Sequence, residues 1–196
     1  MSPSIIVSAL LLAGVSLAFW GCKTSRSGYE SAPYSVVLSN GDYELRDYPE
    51  LAIVQTPMSD SGANGGNSGF GKLFRYISGH NKSQKSIAMT TPVFISQDPG
   101  TMAFVLPAKS SSEQAPAPLD SSLSLEKVPA GRFAVLRFSG ARSAPKESQT
   151  LALLKTWIAE KGLGAEESPV FGYFDPPWTP SFLRRNEVML RLMPKQ

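Results

Sequence analysis

One histidine and one cysteine are all the chain offers of the side chains that most often ligate metals or attack substrates, alongside six methionines. His80 stands in the run Ser78-Gly79-His80-Asn81. A lone imidazole suits iron, and a single axial histidine suffices in several haem proteins. The same residue serves equally as an exposed turn histidine. Met58, Met89 and Met102 are candidate weak second ligands, although apolar strand sequence usually uses methionine to fill a core. Glu44, Asp47, Asp175 and Glu187 are candidate acid and base groups, yet each is expected at a strand edge or in a turn, solvated or ion-paired. Asp175-Pro176-Pro177-Trp178-Thr179-Pro180 sets one aromatic on a stiff turn, either a lid over one end of the fold or a pocket wall. Arg184-Arg185 is either an anion contact or ordinary loop basicity. No nucleophile elbow or histidine-rich pattern is present, and the glycine-rich run Gly62–Gly71 lacks the Gly-Lys-Ser/Thr ending of a phosphate loop. The chain is expected to bind rather than to catalyse.

The one cysteine, Cys22, ends a charge-free N-terminal run that is almost wholly apolar from Ile5 to Trp20. At ~1.5 Å per residue that run reaches about 24 Å, short of a hydrocarbon core of ~30 Å. It therefore has the form of an export signal, residues 1–21, with Gly21 as the small residue before the cut. Cys22 is then the expected lipid acceptor and new N-terminus. Bulky Phe19 and Trp20, and the lack of Lys or Arg in Met1–Pro3, keep plain secretion and an uncleaved anchor as alternatives. All three place the rest of the chain outside the cytoplasm, and the expected lipid anchor would tie it to the cell envelope.

The net charge of +3, from 19 basic and 16 acidic residues, has no basic cluster behind it, so no nucleic-acid partner is expected. With Cys22 at the tether, the domain has no disulfide, cysteine zinc site or thiolate haem ligand. Residues 22–33 are small and polar, a flexible tether, and residues 34–196 suffice for one domain with a core.

Periodicity supplies the elements. Val36–Leu38 leads through Asn40-Gly41, expected at the centre of a tight hairpin, into Tyr43–Tyr48. There Tyr43, Leu45 and Asp47 share one face and Glu44, Arg46 and Tyr48 the other. Leu51–Thr56, Ile87–Ile95, Thr101–Leu106, Leu123–Val128, Arg132–Ser139, Val170–Phe174 and Glu187–Leu192 read as further strands. Phe70, Leu73, Phe74 and Ile77 have the spacing of one apolar helical stripe, with Lys72 and Arg75 away from it and Gly79 at the positive-φ position beyond the end. A second helix opens at Pro145, buries Leu151, Leu154 and Ile158, and ends at Gly162. Two strands, a helix and two strands thus occur twice, which predicts an α+β domain of curved antiparallel strands flanked by two helices.

Several runs together resemble the SOUL haem-binding protein family: Tyr43-Glu44-Leu45-Arg46-Asp47-Tyr48-Pro49; Leu73-Phe74-Arg75-Tyr76-Ile77-Ser78-Gly79-His80-Asn81; Met89-Thr90-Thr91-Pro92-Val93; Phe104-Val105-Leu106-Pro107; Val135-Leu136-Arg137-Phe138; and Arg185-Asn186-Glu187-Val188. The resemblance implies a distorted antiparallel β-barrel from two pseudo-repeated halves with two flanking helices. It also implies non-covalent binding of haem or another porphyrin in an apolar groove beside the first helix. Lys72, Leu73, Arg75, Tyr76 and His80 are the residues there, with the two cations suited to the propionates. Where one member is held to use an axial histidine, this chain has Asp47, and His80 stands at a position the family does not require to be histidine. Iron ligation therefore does not carry over from the resemblance, and His80 is a candidate metal ligand by its residue type alone. The expected role is reversible binding for buffering or delivery. The alternative is a metal-free small-molecule or partner-binding module on the same barrel, since fold alone does not fix function.

Overall fold

The computed structural model describes residues 28–58, 68–97, 100–108 and 114–194. Residues 1–21, expected to be an export signal, Cys22 and the first part of the expected tether fall outside them. The chain divides into a unit ending at Glu30, of which Gly28–Glu30 are described, and a compact unit Ser31–Gln196.

Eleven strands are described: β1 (Glu30–Ser31), β2 (Ser35–Asn40), β3 (Tyr43–Tyr48), β4 (Leu51–Pro57), β5 (Thr90–Thr91), β6 (Val93–Gln97), β7 (Gly100–Val105), β8 (Ser124–Val128), β9 (Gly131–Phe138), β10 (Val170–Tyr173) and β11 (Asn186–Arg191). Helices α1 (Gly69–Ile77) and α2 (Ala144–Glu160) separate β4 from β5 and β9 from β10. Nine strands form one antiparallel sheet in the order β2-β3-β9-β11-β10-β6-β7-β4-β8.

That order shows how the repeat is used. Reading outward from the β10–β6 junction, β10, β11, β9, β3 on one side match β6, β7, β4, β8 on the other. The first strand of each half has crossed over to pair with the second strand of the other, β3 with β9 and β8 with β4. The halves are therefore interlocked and share one sheet. Because the order ends at β2 and β8, the sheet is a curled half-barrel rather than a closed barrel.

Alternation along each strand sorts the side chains into three cores. Ala134, Leu136, Val188 and Leu190 point outward and pack under α2 with Leu154, Trp157 and Ile158. Val54, Phe104 and Leu106 do the same under α1 with Leu73, Tyr76 and Ile77. Tyr48, Leu51, Ile53, Ala103, Val105, Val135 and Met189 meet on the inner face, and strands so far apart in the sheet order meet there only because the sheet curls. Ala32 and Tyr34 join this inner cluster from the N-terminal side. There Ala32 N–H donates to Thr91 O at 2.8 Å.

Three local expectations are corrected. The hairpin turn is Gly41-Asp42, since Asn40 still pairs with Tyr43, and only Gly41 takes a positive φ, +61°. The strand expected over Ile87–Ile95 begins at Thr90 and is interrupted at Pro92, which has no N–H for the ladder. Helix α1 buries Leu73, Tyr76 and Ile77, whereas Phe70 and Phe74 remain 43% and 49% exposed. The buried side includes Tyr76 because its hydroxyl finds an internal acceptor, Pro116 O at 2.9 Å. Gly79 (φ +102°) and Gly162 (φ +64°) stand where helix termination requires them.

Candidate functional site

Helix α1 begins with Ser68, whose hydroxyl accepts from Gly71 N–H at 3.1 Å. At 3.6 residues per turn its exposed side runs from Phe70 and Phe74 across Gly71 to Arg75, with Lys72 beyond. The two phenyl rings lie nearly parallel, 6.0 Å apart at 11°. Phe70 is fixed from below by Phe104, edge to face at 5.3 Å. The result is an exposed pair of parallel rings on a helix, braced from below.

The residues named from sequence divide around this surface. Leu73 and Tyr76 have no exposed area and face the core, so neither offers contact to a surface ligand. Lys72 points to the opposite flank, where its ammonium donates to Ser122 Oγ at 3.0 Å. That flank is covered by the chain around 115–123: Tyr76 bonds Pro116 there, Lys82 N–H donates to Ala117 O at 2.9 Å, and Arg75 reaches Asp120 at 3.9 Å. Bonds from Ser122, with the charges of Lys72 and Arg75 behind them, hold the Asp120 carboxyl below its ordinary range. Both cations thus reach the segment Asp120–Ser122, Lys72 through Ser122 and Arg75, the more exposed of the two, through Asp120.

His80 is exposed, and its backbone N–H closes the helix end on Arg75 O at 3.0 Å. The structural member of the Gly79-His80-Asn81 run is Asn81, which is wholly buried. Its amide donates to Tyr76 O (3.0 Å) and Lys85 O (2.7 Å) and accepts from Ser83 and Lys85 N–H (3.2 and 3.1 Å). One side chain thereby holds the turn after α1, while His80 is the outward residue of the motif. Among the described residues no group of three or more His, Cys, Asp or Glu is placed to hold a metal ion.

The carboxylates depart most from expectation. Glu187 lies on β11, inside the sheet rather than at an edge, and is fully buried, as is Arg46 on β3. Arg46 meets Glu187 through two bonds of 2.7 and 3.0 Å, donates to Glu44 at 2.6 Å and to Tyr48 Oη at 3.2 Å, and lies 4.2 Å from the Tyr34 ring centroid. Arg185 adds bonds to Glu187 at 2.9 and 2.5 Å. Burial alone would raise the Glu187 pKa, but Arg46 and Arg185 outweigh it and hold the carboxyl below its ordinary value. Burial pushes the neighbouring Tyr48 up to about 12. Glu187 is thus a fixed anion and not a proton donor at neutral pH. Asp47, by contrast, is an exposed partner of Arg132 at 2.7 Å, and Asp175 accepts from Arg185 N–H at 2.6 Å.

Besides Glu44 and Glu187, sequence reading missed a further buried acid, Glu147 on α2. It bonds the Tyr173 hydroxyl, Arg142 (2.9 Å) and Gln97 (2.8 Å). An acid in the first turn of a helix is ordinary in sequence, so nothing there signals its burial. Beside α2 lies an open cleft of about 520 Å³ whose lining includes Tyr43, Arg137, Lys146, Leu153 and Trp157. Tyr43 and Trp157 stack there at 5.2 Å. Trp178 is 80% exposed, so it seals no cavity.

With this geometry in view, three comparisons bear on the chain. The family described as SOUL heme-binding protein matches residues 29–191. Heme-binding protein 2 of Homo sapiens is 29% identical over 171 residues, covering 81% of this chain and 82% of that protein. Its counterpart in Mus musculus is 28% identical over the same shares. Among solved structures, a hydrolase from Listeria innocua superposes with a TM-score of 0.58 at 10% identity, covering 80% of this chain and 94% of that one, a likeness of fold alone.

Proposed function

The chain belongs to the SOUL heme-binding protein family, and from that premise we propose that it binds haem or a related tetrapyrrole reversibly on the exposed side of α1. The observation that carries this reading is the Phe70–Phe74 pair, parallel, roughly half exposed and braced on Phe104. A macrocycle offers a flat apolar face of the kind such a pair accepts. Covering the two rings contributes at ~25 cal/mol per Å² of apolar area removed from water. Arg75, half exposed and 3.9 Å from Asp120, is the cation placed to turn toward a propionate.

In this reading apolar contact does most of the holding. Among the described residues none hydrogen-bonds the His80 ring, so nothing fixes it toward an iron. Hemin added to the protein is expected to give a saturable, shifted Soret band. Phe70→Ser with Phe74→Ser should weaken binding at least tenfold without unfolding the protein. His80→Ala should leave the band where it is; a displaced maximum would make His80 an iron ligand. A spectrum of free or aggregated hemin with the unaltered protein would end the proposal.

A second reading, a metal-free module for small amphipathic anions, rests on the cleft beside α2, which brings Arg137 and Lys146 next to the Tyr43–Trp157 stack. If Leu153→Ser, and not the phenylalanine pair, weakens binding of hemin and metal-free porphyrin alike, the cleft is the site. Either way the protein acts as a carrier rather than an enzyme, in keeping with the ion-paired state of Glu187. The same proposal places it in the cell envelope, tethered by acylated Cys22. Incorporation of a labelled fatty acid, lost in Cys22→Ser, tests that part separately.

A further inference from the structure

The inner face of the curled sheet holds an apolar cavity of about 80 Å³, on the other side of the sheet from the core under α1. Its lining takes one side chain from each of β3, β4, β6, β8, β9, β10 and β11, so strands of both halves close around one small space. Tyr48 and Met189 are buried at its floor, whereas Phe94, Val128, Phe133 and Val170 are partly exposed and surround its opening. The Tyr48 hydroxyl is held by Arg46, from which it accepts at 3.2 Å, and by Met189 Sδ, toward which it donates at 3.8 Å, so tyrosine lines the space with ring carbon only. We propose that this cavity is a second ligand site, separate from the aromatic pair on α1, that takes the tail of an alkyl carboxylate and sets the headgroup on Arg191.

The chemistry of the space selects the tail. An apolar cavity stays dry, and a polar group placed in it would lose its hydrogen bonds. Volume narrows the choice further. A cavity of ~150 Å³ takes benzene, so one about half that size takes the last few carbons of an unbranched chain rather than a ring. A macrocycle is far too large for it, which separates this site from the surface proposed for a tetrapyrrole.

The headgroup follows from where Arg191 is held. Its guanidinium lies 4.6 Å from the ring centroid of Phe133 and donates to Pro129 O at 2.6 Å and Ala130 O at 3.1 Å. Those two carbonyls belong to the turn between Val128 and Phe133, so the cation is fixed beside two of the side chains around the opening. A guanidinium has five N–H groups, and two bonds leave donors to spare. Among the described residues no carboxylate pairs with it, although the neighbouring cations are neutralised, Arg132 by Asp47 at 2.7 Å and Lys127 by Glu50 at 3.7 Å. A carboxylate whose tail enters the cavity would therefore meet a pre-positioned planar donor matched to its two oxygens.

The test titrates octanoate into the full chain, isotope-labelled at its methionine methyls and held in phospholipid nanodiscs so that no free detergent competes. Met189 reports the cavity and Met102, packed in the core under α1, reports the other side of the sheet. The expected result is a saturable shift of the Met189 methyl with Met102 unmoved. Affinity should rise about fourfold per methylene from butanoate to hexanoate and level off as the cavity fills. Octanol and octylammonium should bind about fivefold more weakly than octanoate, and Arg191→Gln should remove that difference. Val128→Phe, which fills the opening from an edge strand, should weaken octanoate roughly tenfold and leave the hemin titration unchanged. A Met189 methyl that stays unmoved at millimolar octanoate overturns the inference. So does a shift at Met102 in its place, and so does equal binding of the acid, the alcohol and the amine, which would leave a packing void with no ligand class. Loss of the hemin band with the Met189 shift intact would end the tetrapyrrole proposal alone, so the two sites fail separately.

Discussion

Replacing Arg46 by methionine isolates what the inner charge cluster contributes. Methionine keeps most of the side chain's length but leaves Glu187, with no exposed area, short of its two-pronged partner at 2.7 and 3.0 Å. Removing one member of a buried ion pair costs about 3–5 kcal/mol. Arg185 remains on Glu187 at 2.9 and 2.5 Å, which places the expected loss near the lower end, about 3 kcal/mol. For a unit of this size each kcal/mol moves Tm by about 2–4 °C, so the midpoint should fall by roughly 6–12 °C. Urea unfolding with an unchanged m-value, together with calorimetry, measures it. The double variant Arg46→Met, Glu187→Leu should regain about 2 kcal/mol relative to the sum of the singles, because the uncompensated charge is gone. The pH dependence follows from the same contact. Glu187 titrates below its ordinary 4.5 in the folded state, so its contribution is complete above that value and is lost as pH falls through the folded pKa. Stability should therefore drop on the acid side of pH 4.5, and Arg46→Met should flatten that drop. A cost under about 1 kcal/mol, or an acid limb unchanged by the substitution, would refute the reasoning.

Lys72→Ala should leave hemin affinity within about twofold, since its ammonium is directed at Ser122, whereas Arg75→Glu should weaken it roughly fivefold, the scale of one exposed ion pair. Equal effects in the same titration would mean that Lys72 leaves Ser122 to serve the ligand as well. Asn81→Ala should cost about 2–4 kcal/mol, because four bonds to the turn after α1 are lost and buried backbone groups are left unpaired. Hydrogen exchange should show the loss first in residues 78–86. A Cβ at Gly131 would stand 1.9 Å from Arg191 Nη1, whose guanidinium bonds Ala130 O (3.1 Å) and Pro129 O (2.6 Å). Gly131→Ala should therefore expel that flexible group and cost about 1 kcal/mol, the same as Arg191→Ala, with the double variant no worse than either.

The α+β class, the twice-used order of strands and helix and most element positions were legible in the chain, because hydrophobic period and turn residues act over a few neighbours. So was the two-faced reading of Glu44-Leu45-Arg46-Asp47-Tyr48. What alternation does not carry is which face turns inward. Its polar face is the buried one, because Glu187, 141 residues away from Arg46, arrives on β11 to neutralise it. The stripe on α1 shows the same limit. Phe70 and Phe74 have core spacing, yet the helix packs through Tyr76, whose hydroxyl meets Pro116 from a distant segment. The two rings are thereby left on the surface proposed here for a tetrapyrrole. Sequence by itself determined local periods, caps and the family. Tertiary structure alone decided the crossed strands, the buried ions and the exposed aromatics, because burial depends on partners that only folding brings within reach.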